Sequence, residues 1–383
     1  MIGAMKNFLE NARQEKLWAA MIGINVTLLI GLVFYKISRE PPVIQYSYLL
    51  ATYHFGFVKR ALLGAILALF EPTPGFVAVW IIATAAWLLA VGLFVMVFTR
   101  TFGWRGDRIQ LFVFTFGSPF FFKNFYHTAG FFDIYGCLLA LAGLLIPAGF
   151  LYLFVVAAGC VIVILIHHIH FLLYLPLVAL IVAIRLYALR VPTRFDFIAG
   201  GVLAALVVSV FGFVLWFGNA PVPPETFMAY LQSRATDTLG PVNMSVWYST
   251  VAQEFAQTAT MFPRNAARFP LYAVLIALHW PVAVFMRALI QSIPERGHRL
   301  LAIIGVAGIT IAYVPIFVFV FDYARWVSNW GVCMILALHA IALLSRRSAL
   351  VPFARPGWAV QFLVLGFLLT LIPRVGVIMP FDY

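Results

Sequence analysis

Charge is what this sequence has least of. Only 10% of its 383 residues are Asp, Glu, Lys or Arg, and just 13 are acidic. Soluble domains carry about 25% charged residues, so a chain that faces water over its whole surface is excluded. Cysteine is scarce as well. Cys137, Cys160 and Cys333 all fall inside apolar runs, which excludes a disulfide framework and a cysteine-built metal site and leaves three small core residues. There is no Walker loop, dinucleotide fingerprint, HExxH or GxSxG, so soluble nucleotide chemistry has no support. The opening stretch "MIGAMKNFLENARQEKLW" lacks the basic start, apolar centre and small-residue cleavage site of a signal peptide. It reads as a short interfacial helix ahead of a first span.

What is present is apolar sequence: 64% of residues are hydrophobic, with a mean hydropathy of +1.01. Several runs are long enough to cross the roughly 30 Å of a bilayer core. Helices are the expected spans, because they satisfy every backbone polar group internally. The expected fold is all-α, a single transmembrane domain over 1–383 with about eleven spans. They fall at 17–35, 76–98, 109–122, 131–148, 149–166, 171–189, 196–217, 269–289, 300–321, 327–344 and 357–373. The run 149–189 is too long for one crossing and is expected to turn at its polar interruption, "HHIH" (167–170). Residues 37–75 form a first outer loop whose apolar stretch 61–70 is too short to span and fits a half-buried helix. Residues 219–267 form a second, large outer loop with room for amphipathic helices near 225–235 and 245–260.

The net charge of +12 records orientation rather than a nucleic-acid partner. With the N-terminus in the cytoplasm, fifteen basic residues fall inside: Lys6, Arg13, Lys16, Arg100, Arg105, Arg108, Arg185, Arg190, Arg194, Arg287, Arg296, Arg299, Arg346, Arg347 and Arg355. Ten fall outside, and the acidic residues divide five inside to eight outside, in agreement with the positive-inside rule. The expected location is a bacterial inner membrane, crossed many times.

The cytoplasmic loops carry scattered arginine, but the outer boundary carries compact clusters. They are "YHFGFVKR" (53–60), "KNFYHTAGFFD" (123–133), "HHIH" (167–170) and "FDYARW" (321–326). Ionisable groups at membrane depth are costly and face a cavity or a partner, so one polar cavity at the outer face accounts for all four. Lys59, Arg60, Arg325 and Lys123 are the candidate phosphate-binding cations, since Arg offers a bidentate fork and Lys a compact charge. Snorkelling anchors explain Lys59 and Arg60 equally well. Asp322, Asp133, His167 and His170 are the candidate catalytic groups, able to take a proton or hold a substrate hydroxyl. The alternatives are an Asp322–Arg325 ion pair, a helix N-terminal charge at Asp133 and a structural histidine turn. His54, His127 and Glu40 complete the outer set. No cofactor is expected. A divalent metal on His167 and His170, with His127 and Asp133 converging, stays open. His279 reads as a packing histidine.

On these features the chain resembles the GT-C superfamily of membrane glycosyltransferases and the related lipid-linked polysaccharide polymerases and ligases. The stretches "GFVKRALLG", "HHIHFLLYLP" and "FDYARW" are similar to motifs in bacterial polytopic proteins of surface-polysaccharide assembly. The resemblance implies a polyprenyl-phosphate-linked sugar as donor, a glycan or lipid as acceptor, and basic residues on the lipid phosphate. It also implies an acidic residue in the first outer loop, where this chain offers only Glu40 and Glu71. Two other classes compete: a transporter or flippase for an anionic lipid or solute, which predicts a polar path across the membrane, and a non-catalytic membrane scaffold.

Overall fold

The computed structural model describes residues 2–104, 107–149, 151–189, 192–345 and 359–375, and every regular element among them is helical. Helix α1 (Ile2–Ile37) is followed by two short helices, α2 (Val43–Leu50) and α3 (Leu62–Leu67), and by α4 (Phe76–Thr101). Next come α5 (Asp107–Phe116), α6 (Phe122–His127), α7 (Asp133–Leu145), α8 (Tyr152–Ile166), α9 (His170–Leu173) and α10 (Leu175–Val182), the last continued by a π-helical segment over Ala183–Ala188. Helix α11 (Arg194–Phe217) leads into α12 (Pro224–Arg234), α13 (Ser245–Tyr248) and α14 (Val251–Ala266). The chain closes with α15 (Phe269–Leu278), α16 (Trp280–Ser292), α17 (Arg296–Phe319), α18 (Tyr323–Ala342) and α19 (Ala359–Leu371).

Among the described residues, four helical stretches are long and apolar enough to cross a bilayer: Glu15–Ile37, Phe76–Thr101, Arg194–Phe217 and Arg296–Phe319. A fifth forms if α15 and α16, bent by 53°, count as one. Their outward faces are greasy, with Ile198, Val202 and Trp216 on α11 and Ile304, Ile311 and Val314 on α17 all exposed. Such faces fit a membrane protein, because in water they would be a large uncovered apolar surface. Helix length does not reach the eleven crossings expected from hydropathy. The 13 residues of α7 cover only about 20 Å at 1.5 Å each, and α8, α10 with its extension and α19 are similarly short. Hydropathy averages over a window and passes straight through breaks such as Gly117–Pro119, which is buried, and His279, which is half-buried against Ser118 and Phe120.

Several local expectations can be compared with the helices directly. The 61–70 stretch holds only the six-residue α3, not a span. The 149–189 run does turn at "HHIH", between α8 and α9. Helix α12 matches 225–235, and 245–260 divides into α13 and α14. The segment 109–122 is a helix only as far as Phe116. No separate interfacial helix precedes the first span, since α1 runs unbroken from Ile2. Of the basic residues counted, Arg105, Arg190, Arg346, Arg347 and Arg355 lie outside the described residues, as do residues 357 and 358 of the last expected span.

Helix α18 is the hub, packed against α4, α7, α10, α16 and α17. It is buried along nearly its whole length despite carrying Arg325, Ser328, Asn329 and His339. The bundle has two chemically different ends. At one, Arg100 and Arg185 donate to the carbonyls that end α7, Leu145 and Leu144, and Arg299 donates to Ile293. At the other, the two large loops pack on each other around Tyr46, Leu50, Val58, Phe227, Leu231 and Trp247. Two contacts fasten that cap: Arg234 donates to the carbonyls of Pro72 and Leu50, and Asp237 accepts from the Phe76 amide at the start of α4.

Candidate functional site

Most of the polar residues singled out in sequence meet beneath this cap. The centre is a buried carboxylate–guanidinium pair. Arg325, in the first turn of α18, donates through Nε to Asp133 Oδ2 and through Nη2 to Asp133 Oδ1, the latter at 2.7 Å. Asp133 opens α7 and is 1% exposed. Asn329, one turn further along α18, donates to Asp133 Oδ2 at 3.2 Å, and its own Oδ1 accepts from Tyr174 at 2.6 Å. The faces of Arg325 are covered by the Phe131 and Trp326 rings, at 4.3 and 4.8 Å from their centroids. The intra-helical Asp322–Arg325 pair expected from "DYAR" is present, but at 3.7 Å it is the looser of the two. Arg325 is therefore gripped on both faces and three nitrogens, and its principal partner is 192 residues away.

A second group of cations stands beside this pair. Lys59 and Arg60 lie in the turn between α2 and α3. Lys59 is buried, its amide donating to Gly218 at the end of α11 and its ammonium to the Ser249 carbonyl at 3.1 Å. Burial and then the Arg60 charge bring the Lys59 pKa down to about 8, against a smaller upward pull from Glu254. Arg60 donates through Nη1 to Tyr48 at 2.9 Å, while its buried Nε has no protein acceptor. Arg60 is also the only non-glycine residue with positive φ, 65°, among the described residues. Holding an L-residue there costs roughly 1–2 kcal/mol, and such strain concentrates at functional positions.

His167 and His168 lie within electrostatic reach of Arg60. Burial first, and the Arg60 charge second, push both imidazoles well below the ordinary histidine range, so they are neutral at pH 7. The Nδ1 atoms of both are buried without a protein partner. In His170, Nε2 faces the Phe132 carbonyl at 3.0 Å, which ties α9 to the start of α7, while its Nδ1, beside Gly136, is buried without a protein partner like those of His167 and His168.

The remaining predicted residues go elsewhere. Lys123 is 2% exposed, and its ammonium donates to the carbonyls of Gly117, Leu369, Thr370 and Ile372 at 2.6–3.1 Å. It caps the C-terminal ends of α5 and α19, as a cation at a helix C-terminus should, which leaves its ammonium committed to the protein rather than open to a phosphate. His127 faces the Pro373 backbone, near Lys36 and Arg374. Glu40 is exposed beyond the end of α1. His54 stacks on Tyr230 at 4.8 Å and joins the two loops. His279 packs on Phe120 and bonds Ser118 at 2.8 Å, a satisfied packing histidine at the α15–α16 break. Among the described residues no three His, Cys, Asp or Glu side chains are grouped so as to hold a metal ion.

Sequence reading missed Tyr48, Tyr174 and Asn329. Asn329 had a signal: it follows Arg325 by four residues, so the two share a helix face. Compared with known protein families, characterised proteins and solved structures, the chain matches none of them.

Proposed function

We propose that the protein is a membrane glycosyltransferase acting at the capped end of the bundle, on a polyprenyl-phosphate-linked sugar in cell-surface polysaccharide assembly. The observation that carries this reading is Arg60: a strained, cationic residue with an unpartnered buried Nε, next to Lys59 and two neutral histidines with unpartnered Nδ1 atoms. All of these groups can present N–H donors, and none is an anion. That is a receptor for phosphate oxygens.

In the reaction, an acceptor hydroxyl oxygen attacks the anomeric carbon of the donor. The bond from that carbon to the phosphate oxygen breaks, and the electron pair leaves on the lipid phosphate. Lys59 and Arg60 stabilise that charge as it develops. The hydroxyl proton passes to Asp322, whose side chain is 24% exposed and whose only ion-pair contact among the described residues is the long one to Arg325. Asp133, locked to Arg325, supports the site from behind. On this reading the capped end faces the periplasm of a bacterial inner membrane, the end carrying Arg100, Arg185 and Arg299 faces the cytoplasm, and the shorter helices complete about eleven crossings. A transporter would use the mid-bundle breaks around Lys123 and His279. There, however, every nitrogen of both side chains already has a protein partner, so those breaks offer no vacant ligand for cargo.

The test is transfer of a radiolabelled sugar from polyprenyl phosphate by the purified chain in nanodiscs. Lys59→Ala and Arg60→Ala are each expected to lower turnover about 100-fold while leaving the fold intact. Full activity in both variants would refute the phosphate assignment.

A further inference from the structure

Helix α14 starts with a capping box between Thr250 and Gln253 and packs on the end of α17 at the capped end of the bundle. Two buried polar side chains fasten it there. Thr258 donates to the Phe319 carbonyl at 2.8 Å, and Asn265 donates to the Phe321 carbonyl at 3.1 Å. At about 3.6 residues per turn, the rest of the helix surface divides into two arcs. Val251, Phe255, Ala259 and Phe262 lie along one, and all are exposed. Gln253, Thr260 and Arg264 lie along the other and are exposed too. The helix thus has three sides, one on the bundle, one apolar and one polar. The apolar arc is not an isolated patch. Phe255 packs on Phe319 and Phe262 on Phe269, each pair with ring centroids 5.8 Å apart. Those partners end the apolar outward sides of α17 and α15, where Val314, Val318, Leu271 and Val274 are exposed. The arc therefore extends the belt that a bilayer must cover.

We propose that α14 is a membrane-interfacial helix, lying along the lipid surface at the capped end with its Val251–Phe255–Phe262 arc in the acyl boundary and its Thr260–Arg264 arc in water. A helix with this division of faces sinks its apolar side about 5–10 Å into the boundary between headgroups and acyl chains. A second copy of the chain would also cover the apolar arc, but the bilayer already borders it along α15 and α17. The seat bears on the cations. Ser249, whose carbonyl accepts from Lys59, stands two residues before α14. Glu254, in the first turn of α14, supports the Lys59 charge. Lipid contact along α14 therefore holds Lys59 at headgroup depth. The seat follows from the faces of α14 alone and stands whether the chain transfers a sugar or moves a solute.

The experiment is power-saturation EPR on the full chain in nanodiscs of phosphatidylcholine and phosphatidylglycerol. Nitroxide labels go on Phe255→Cys, Phe262→Cys, Thr260→Cys and Arg264→Cys, all exposed positions, so the core stays intact. Ala259→Cys repeats the measurement on the apolar arc without removing a ring. The parent chain, whose Cys137, Cys160 and Cys333 are buried, is the blank. The ratio of collisions with oxygen to collisions with a water-soluble nickel chelate is expected to be about fivefold higher at 255, 259 and 262 than at 260 and 264. Equal nickel access on both arcs would put the helix in water and overturn the proposal. An apolar arc closed to both reagents would mean that protein, such as a second copy, covers it, and would overturn it as well. So would high oxygen access at all five positions, which would submerge the helix in the bilayer core.

Discussion

Arg60 separates a phosphate-binding role from a snorkelling anchor, because its backbone and its side chain make opposite demands. The left-handed φ of 65° costs an L-residue roughly 1–2 kcal/mol, which glycine does not incur. The side chain returns something through its bond to Tyr48 at 2.9 Å and its position over the Tyr48 ring at 5.7 Å, together worth about 1–2 kcal/mol in a part-buried setting. Arg60→Gly removes both the strain and the contacts, so its stability is expected to stay within about 1 kcal/mol of the parent. Arg60→Ala keeps the strain and loses the contacts, and is expected to be about 1–2 kcal/mol less stable. Thermal melting in detergent reads the two apart. Both variants lose the guanidinium, so transfer from a polyprenyl-linked sugar is expected to fall about 100-fold in each, the usual cost of removing one group that stabilises developing charge. Stability and activity therefore rank the variants differently. Normal transfer by Arg60→Gly would refute the phosphate role, and an Arg60→Ala protein as stable as Arg60→Gly would refute the strain argument.

Three further outcomes are expected. Arg325→Met strands Asp133 in the interior and should cost about 3–5 kcal/mol in thermal stability. Asp133→Asn should cost less because Asp322 remains 3.7 Å from Arg325, and the double variant Asp133→Leu with Arg325→Met should recover most of the loss. Equal damage in all three would show that the pair does not behave as a buried unit. Lys123→Met uncovers four backbone carbonyls and should lower the melting temperature more than Lys59→Ala does, with transfer per folded molecule unchanged. Loss of transfer without loss of stability would return Lys123 to the site. Finally, Lys59 has its pKa brought down to about 8 by burial and Arg60, so it is charged below that pH and neutral above it. Affinity for farnesyl phosphate, measured by titration, should fall as pH rises from 7 to 10, with a midpoint at or above 8 because the bound anion favours the charged form. Lys59→Arg should flatten the curve, and an unchanged slope in that variant would place the titration elsewhere.

The long apolar helices and their turns were legible because hydropathy and turn residues report directly on them. The 149–189 run had to turn at "HHIH", and it does so between Ile166 and His170. Helices broken inside protein were not legible. The breaks at Gly117–Pro119 and His279 meet each other across 161 residues, through the Ser118–His279 hydrogen bond at 2.8 Å, and a single sequence carries no trace of that pairing. The candidate site divides in the same way. Clustering at one depth pointed to Asp133, Arg325, Lys59, Arg60 and His167 together. Whether a cation was spent on a carbonyl, a carboxylate or nothing depended on tertiary neighbours. Lys123 and Lys59 look equivalent in sequence, yet one meets four carbonyls and the other a single carbonyl, that of Ser249.

That contrast also explains why the cations fall into two kinds. A buried charge must be matched, and the protein matches the three N–H bonds of Lys123 with four carbonyl oxygens and the Arg325 charge with the Asp133 and Asp322 carboxylates. Lys59 and Arg60 are matched with one carbonyl and one phenol, weak neutral acceptors, while Arg60 Nε has nothing. A bundle able to match two buried cations with such acceptors, 246 and 192 residues away in sequence, is not short of acceptors in general. It leaves these two adjacent cations underpaired, and it holds one of them in a strained backbone conformation that glycine would relieve. Stability alone gives no reason to keep arginine there, whereas an anion that arrives, is held and departs gives one.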